Sequence, residues 1–472
     1  MTEDSITITD LTVGEQSTLN ELLKQLADKT PRNLLRAAYY DGKNAVRDLG
    51  ISTPPNFQRI ATVLGWSAKA VDILNRRCNL DGFVVPGASV DDFGMSDLWS
   101  DNYLDTEAPQ AGVSSLIHST AFLIATQGDT EADEPKALIT AKDALTGTGR
   151  WNRRQRRLDA FLSIIDSDED AKPTEMVMYL DGLNVTMTKT RGTWSVDRRE
   201  HKFDVPVEPL VYQPRLGRPF GSSRISRAVM SLHDSAIRTV IRSEVSAELY
   251  SVPQRVLLGA DESAFKNSDG SIKTAWQAII GRIWAIPDDE DSATPRADIK
   301  EFSQGSQAPH VAQLRAWAQL FAGETSIPIS SLGISTEANP ASAEAYYASR
   351  EDLISEAEGT TDGWTPAWRR TAIRGLQMLN DWETVPDEVQ KIRPKWRSPA
   401  TPSRAAAADA AAKTIDKFPW LAESELGLEL YGFDQSFIDR AMAEKRRQNG
   451  RQSLTEIRAA IEDARPPADA NA

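Results

Sequence analysis

The sequence predicts an α+β fold that is mainly helical. Three observations lead there. Apolar residues recur at helical spacing from about residue 14 to 105 and again from about residue 224 onward. Between them, from about residue 121 to 212, short β-prone runs alternate with turn residues. The chain has 472 residues, more than one hydrophobic core usually holds, so two to four sub-domains are expected.

The first ten residues are acidic and hydroxyl-rich and read as disordered; they lack the basic start and apolar run of a signal peptide. Leu19, Leu22, Leu23 and Leu26 give residues 14–29 helical spacing. A second helix runs from about Arg32 into Tyr39 and Tyr40 and stops at Asp41 and Gly42. Pro54 and Pro55 mark a turn, residues 60–78 read as helix, and Trp99, Tyr103 and Leu104 carry a helical pattern to about Asp105. The β-prone runs are 120–124, 137–140, 158–165, 175–180, 185–188 and 193–196. Turns at Gly128-Asp129, Asp181-Gly182 and Arg191-Gly192 separate several of them, as in an antiparallel meander or sandwich.

Pro206, Pro209, Pro214 and Pro219 then read as a stiff connector, and Gly221, Ser222 and Ser223 as a helix start capped by serine hydroxyls. The helix of residues 224–250 carries Ile225, Val229, Leu232, Ala236 and Val240, flanked by Ile237, Ile241 and Val245. That stripe is wide enough to pack on more than one neighbour. Pro253 ends it. Residues 254–302 read as a small mixed unit: strands at 255–258, 283–286 and 299–302, a short helix at 275–280, and an acidic turn of Asp288, Asp289, Glu290 and Asp291. A helix at 310–323 presents Leu314, Trp317 and Phe321 on one face and breaks at 327–333. A loop at 335–340 leads into an alanine-rich helix at 341–358, followed by another at 364–379. Pro394, Lys395 and Trp396 are extended, and an alanine-rich helix after Pro402 reaches Lys417. Residues 422–462 are helical, and the tail from Arg465 reads as disordered.

The chemistry is sparse. The net charge of −14 argues against a surface that grips phosphates, and does not exclude a protein that lets DNA slide past without sticking. The single cysteine, Cys78, allows no intrachain disulfide and reads as a small buried residue. There is no phosphate-cradling Gly-x-x-x-x-Gly-Lys motif and no Gly-x-Ser-x-Gly elbow. His118, His201, His233 and His310 lack zinc-site spacing. Acidic runs at Asp91-Asp92, 129–134, 166–170 and 288–291 read as exposed loops. Arg150, Arg153, Arg154, Arg156 and Arg157 admit either phosphate contact or a solvated or inter-subunit patch. No run reaches the roughly 20 apolar residues of a membrane span. Neither catalytic residues nor metal ligands nor a cofactor are expected.

Several blocks resemble the portal proteins of tailed bacteriophages, particularly those of actinobacterial phages. They are Tyr39-Tyr40-Asp41-Gly42, Leu49-Gly50-Ile51 with Pro54-Pro55, Val63-Leu64-Gly65-Trp66, Val71-Asp72 and Asp81-Gly82-Phe83. Further along come residues 98–105, Gly217-Arg218-Pro219-Phe220-Gly221-Ser222-Ser223-Arg224-Ile225, residues 327–333, and Asn339-Pro340-Ala341-Ser342-Ala343-Glu344-Ala345. The blocks follow one another in the family's order.

The resemblance implies a portal fold: a β-rich wing (1–223), a stem helix (224–250), a small α/β clip (251–305), a second stem helix (306–326), a tunnel loop and helix (327–360), a wing return (361–401), a helical crown (402–464) and a disordered tail (465–472). It implies a non-enzymatic ring, usually a dodecamer, at one capsid vertex of the virion, assembled in the host cytoplasm. Implied partners are double-stranded DNA in the channel, the terminase large subunit, the head-tail adaptor, and the major capsid and scaffold proteins, with no membrane. The channel loop would be Ser335, Thr336, Glu337, Ala338 and Asn339; it has no basic residue, so lysine–phosphate contacts are not expected there. The stem interface would be Ile225, Val229, Leu232, Ala236, Ile237, Val240 and Ile241, and the clip would dock partners through Asp288, Asp289, Glu290 and Asp291. The competing readings are another virion structural protein, such as a capsid or head-completion subunit, and a metal-dependent DNA-processing enzyme using the acidic turn.

Overall fold

The computed structural model describes residues 6–44, 62–250, 255–258, 271, 298–301, 306–334, 350–400, 404–433 and 435–463. Helix accounts for 53% of it, so the α+β, mainly helical class holds. Contacts divide the chain into two units, Met1–Pro399 and Ala400–Ala472.

The first unit opens with α1 (Val13–Tyr40), where the sequence reading had two helices. Thr12 and Glu15 form a reciprocal capping box at its start. Pro31 lies inside α1, and one missing backbone donor is outweighed by burial of Leu19, Leu22 and Leu26 along the same face. Residues 6–10 are ordered rather than disordered. Ile8 is buried, its backbone N–H donates to Gln16 Oε1 (3.0 Å), and Gln16 Nε2 donates to the Ile6 carbonyl (2.8 Å).

Next come α2 (Trp66–Asn75), β1 (Leu80–Val84), α3 (Met95–Asp101) and α4 (Leu104–His118). Most of α4 was missed from sequence, because buried small residues (Ala108, Ala111, Gly112 and Ser115) replace the usual large apolar stripe. Gly112 permits that close packing: a Cβ there would lie 2.2 Å from Asn75 Oδ1 and 3.1 Å from the Trp364 ring.

The β region holds two antiparallel sheets. Central β2 (Thr120–Gln127) is flanked by β3 (Ala137–Lys142) and β9 (Val207–Val211). The strand β9 lies where a proline connector was expected. It tolerates Pro209 because it is an edge strand. The second sheet is a meander of β4 (Gly147–Asn152), β5 (Arg157–Ser167), β6 (Pro173–Leu180), β7 (Leu183–Thr190) and β8 (Thr193–Glu200), in that order. One face, with Ala160, Leu162, Met176, Met178, Val185 and Met187, packs on Leu19 and Leu22 of α1. The other, with Leu158, Phe161 and Tyr179, packs on Phe122 and Ile124 of β2. A register shift opposite Arg150 and Trp151 turns Leu158 to the opposite face from Ala160.

After the sheets come α5 (Arg227–Tyr250), β10 (Arg255–Leu258), β11 (Asp298–Glu301) and α6 (Ala308–Thr325). Strands β10 and β11 pair antiparallel. The cap of α5 is Ser226, whose Oγ accepts from the Val229 N–H (3.2 Å), and not Ser222 or Ser223. Helix α7 (Glu351–Leu379) then crosses the β2 sheet as one continuous helix, where the sequence suggested two. A short α8 (Asp387–Gln390) precedes β12 (Arg393–Trp396), which pairs with β1. The largest core joins α2, α4, β2, α6 and α7, with Trp364, Trp368 and Phe321 fully buried.

The second unit holds α9 (Arg404–Lys417), α10 (Glu425–Leu430) and α11 (Gln435–Asp463). Ser424 caps α10, and Lys445 Nζ on α11 reaches the Glu423 carbonyl. The expected helices at 275–280 and 341–349 and the strand at 283–286 lie outside the described residues.

Candidate functional site

The arrangement that stands out is a helical hairpin anchored at its base. Helices α5 and α6 run antiparallel: Ser226 Oγ donates to Glu324 (3.3 Å), Trp317 Nε1 to Thr239 Oγ1 (3.1 Å), and Ser243 Oγ to Gln307 Oε1 (2.9 Å). Those rungs descend α5 as they ascend α6. Helix α5 has 24 residues, hence about 36 Å at 1.5 Å per residue. The β10–β11 ribbon follows α5 and precedes α6 in the chain.

The seven expected interface positions divide. Ile225, Val229, Ala236, Ile237 and Ile241 are at most 3% exposed within this one chain. Ile225, Val229 and Ala236 join the main core, while Ile237 and Ile241 pack with Val245 and Leu64. Their stripe is covered by the chain's own elements, because α2 and α6 both pack on α5. Leu232 and Val240 are half-buried. The channel-loop residues Ser335 to Asn339 and the acidic turn Asp288 to Asp291 lie outside the described residues.

The base of the hairpin is held by Arg224, whose side chain is 2% exposed. Its guanidinium donates to the Ala70 carbonyl of α2, the Thr325 carbonyl at the end of α6 (2.5 Å), Glu356 Oε1 of α7 (2.5 Å) and the Tyr212 hydroxyl (3.2 Å). Tyr212 donates to Glu356 Oε1 as well (2.5 Å). One planar fork therefore joins four segments, which the point charge of a lysine could not do. Burial pushes the Tyr212 phenol well above its ordinary value, despite Arg224 pulling it down. Sequence reading treated Arg224 only as the opening of a helix; an arginine beside Ile225 in an apolar stretch was the available signal.

A second network ties α7 to β9. Glu208, 1% exposed, accepts from Arg370 (2.7 Å) and Arg374 (2.6 Å), and Arg374 also reaches Asp204 (2.8 Å). Burial pulls Arg374 down, but Glu208 and Asp204 outweigh it and leave its affinity for the proton raised. Along α5, His233 is fully buried, with Nδ1 2.7 Å from Ser67 Oγ and its ring edge-on to Tyr39 at 5.6 Å. Burial pushes its pKa down, against the nearby Asp234, and so disfavours the charged imidazolium. Tyr39 in turn donates to Asp234 (2.8 Å).

Arg150 and Arg157 are ion-paired, with Asp159 and Glu21, and with Asp204, respectively. Arg153, Arg154 and Arg156 stand exposed on the β4–β5 turn. Cys78 is buried and its thiol is pushed up to about 12 by burial. Among the described residues, no group of three or more His, Cys, Asp or Glu could hold a metal, and no helix is long and apolar enough to cross a membrane.

The family described as "Phage portal protein, SPP1 Gp6-like" matches residues 19–421. The chain belongs to this family of phage portal proteins. Two curated portal proteins are similar along most of their length. That of Mycobacterium phage L5 is 26% identical over 399 residues, spanning 83% of this chain and 80% of that protein. That of Mycobacterium phage D29 is 26% identical over 432 residues, spanning 90% and 84%. Solved structures of the neck of a native GTA particle computed with C12 symmetry (14% identity, TM-score 0.38, 77% of this chain, 89% of that one) and of an empty GTA particle computed with C6 symmetry (15%, 0.40, 75% and 86%) are also similar. Membership of a portal family places the portal reading ahead of the capsid and head-completion readings.

Proposed function

We propose that this portal protein is the subunit of a dodecameric ring at one capsid vertex, through which double-stranded DNA is packaged and ejected, without enzymatic activity of its own. The observation that carries the proposal is the anchored α5–α6 hairpin in a chain of the portal family. A pair of antiparallel helices, about 36 Å and about 27 Å long and bound at the base by Arg224, can stand side by side with its copies as the wall of a channel.

In this reading residues 1–223 and 361–401 form the wing, α5 and α6 the stem, 251–305 the clip, 327–360 the tunnel loop and its helix, and 402–464 the crown. Ser335 to Asn339 face DNA, and Asp288 to Asp291 dock the terminase large subunit and then the head-tail adaptor. Capsid and scaffold proteins meet the wing. The ring sits in the virion, having assembled in the host cytoplasm. Heterologous contacts that close by rotation generate such a ring. With five of the seven stem positions covered inside the chain, the stem's contribution to the subunit contact falls to Val240 and Leu232.

Electron microscopy of the purified full chain tests the proposal. Rings with a central channel are expected. A chain that stays monomeric by light scattering over a range of salt and concentration overturns it.

A further inference from the structure

Two surfaces of the first unit carry unpaired charge of opposite sign, and neither has a role in the hairpin. The first is basic. Lys29, Arg32 and Arg36 lie on one side of α1, and Arg215 and Arg218 flank a tight turn beside them, closed by backbone bonds of 3.1 and 2.7 Å between residues 215 and 218. Among the described residues none of the five is ion-paired. Their partners are neutral: Lys29 sits over the Phe220 ring (4.9 Å), Arg36 donates to the His118 carbonyl (3.1 Å), and Arg215 to Ser222 (2.8 Å). Burial and then Arg32 push the Lys29 ammonium down to about 8; burial, Arg32 and Arg218 push Arg36 down to about 10. In a chain of net charge −14 this is a concentration of cations that repel one another. Leu216, fully exposed, stands at the tip of the turn, and Leu35 is 49% exposed on α1.

The second surface is acidic. Between Arg77 and Lys136 the chain has no lysine or arginine. Asp91, Asp92, Asp97, Asp101 and Asp105 are all exposed around α3 and the start of α4, and among the described residues none is ion-paired. Tyr103 stands among them, 75% exposed and held at φ 49°, a left-handed conformation that a tyrosine rarely adopts. An exposed aromatic ring beside carboxylates suits arginine, by stacking and by charge.

Helix α4 sets the spacing. Asp101 and Asp105 are at its N-terminal end, and Arg36 is bonded to the carbonyl of its last residue, His118. Fifteen helical residues separate the ends by about 20 Å, so the two faces cannot satisfy each other within one chain.

We infer that they are the two halves of one head-to-tail contact, the basic face of one copy seated on the acidic face of the next. The inference rests on the ring reading and names the surfaces that close it. The leucines and Tyr103 favour a protein partner over a phosphate backbone, and the complementary face is present in every copy. Electrostatic complementarity of this kind fixes partner and register.

Charge exchange tests it, read by mass photometry and microscopy of the full chain. Arg32→Glu with Arg218→Glu reverses two of the five charges on the basic face, and Asp97→Lys with Asp101→Lys two of the five on the acidic face, so each variant meets an unaltered neighbour with like charges opposed at those positions. Each is expected to remain folded by circular dichroism and to lose the ring species. Mixing the two, or combining all four substitutions in one chain, is expected to restore it. Wild-type rings are expected to weaken as salt rises toward 1 M, where the screening length is about 3 Å. Intact rings from both reversed variants overturn the inference while leaving the ring reading standing. So does failure of the mixture and of the combined chain to recover rings. Rings that persist in Arg32→Glu/Arg218→Glu but no longer retain a duplex DNA probe assign the basic face to DNA instead. A wild-type chain that forms no rings sinks the ring reading itself.

Discussion

Replacing Arg224 by methionine should loosen the hairpin from the body of the protein. The side chain is 2% exposed and its charge partner Glu356 18% exposed, so the change strands a largely buried carboxylate and frees the carbonyls of Ala70 and Thr325. Breaking a buried ion pair by removing one partner costs about 3–5 kcal/mol. Unfolding entropy of about 2 cal/mol/K per residue over a unit of roughly 400 residues converts 4 kcal/mol into a Tm lower by about 5 °C. Replacing Glu356 by glutamine keeps an acceptor for Arg224 and should cost less. The double variant should lose less than the sum of the two, with a coupling of about 1–3 kcal/mol, because neither buried charge remains alone. Differential scanning calorimetry of the four chains measures this cycle. A Tm for Arg224→Met within about 1 °C of wild type would refute the argument that Arg224 is the anchor.

Glu15 supplies a pH dependence. Its hydrogen bond to Arg198 outweighs burial and holds the carboxyl at about 2 against an ordinary 4.5. A depressed carboxylate stabilises the fold above its unfolded pKa and loses that contribution as pH falls from 4.5 toward 2. Arg198→Ala should flatten Tm against pH across that window, and an unchanged curve would count against the pair. Gly112→Ala should destabilise by about 1–3 kcal/mol, since its Cβ would lie 2.2 Å from Asn75 Oδ1; urea midpoints that match wild type would contradict that packing. Ile237→Asp should unfold the hairpin, because Ile237 is 3% exposed, whereas Val240→Asp should leave a folded chain deficient in rings. Circular dichroism and mass photometry together separate these outcomes, and a folded, ring-deficient Ile237→Asp chain would return that side chain to the subunit contact.

Local pattern explains which parts of the fold could be read in advance. The run 185–188 buries Val185 and Met187 against α1 and leaves Thr186 and Thr188 half-buried, so its period of two survives in the sequence. The break after α6 was legible because Ile327 and Pro328 disrupt its period. Helix α4 was largely missed because it is packed by small residues and a glycine, which carry no periodic signal. Strand β9 was hidden by Pro209, tolerated only because β9 is at a sheet edge, a fact of topology. The apolar stripe on α5 was legible as a packing surface, and five of its seven positions are covered within the chain. Whether a wide stripe meets another chain or the same one depends on where α2 and α6 return, which spacing along α5 does not encode.

The same limitation explains why Arg224 escaped notice and why it matters. Its four contacts come from segments more than 200 residues apart at the extremes, Ala70 and Glu356. No local pattern announces such a convergence. Yet the convergence is what a conduit of paired helices needs. A hairpin held only by its apolar stripe could slide along its own axis, since van der Waals contacts between helices are individually weak. A guanidinium bonded to the α6 terminus, α2 and α7 at once sets one axial position, because its donors are directional and each loses its partner if the helix shifts. The apolar contacts hold the hairpin against the body; Arg224 sets its height. In the proposed ring, equal height is the condition for neighbouring hairpins to meet in register, so a residue buried within its own chain would govern how well the ring closes.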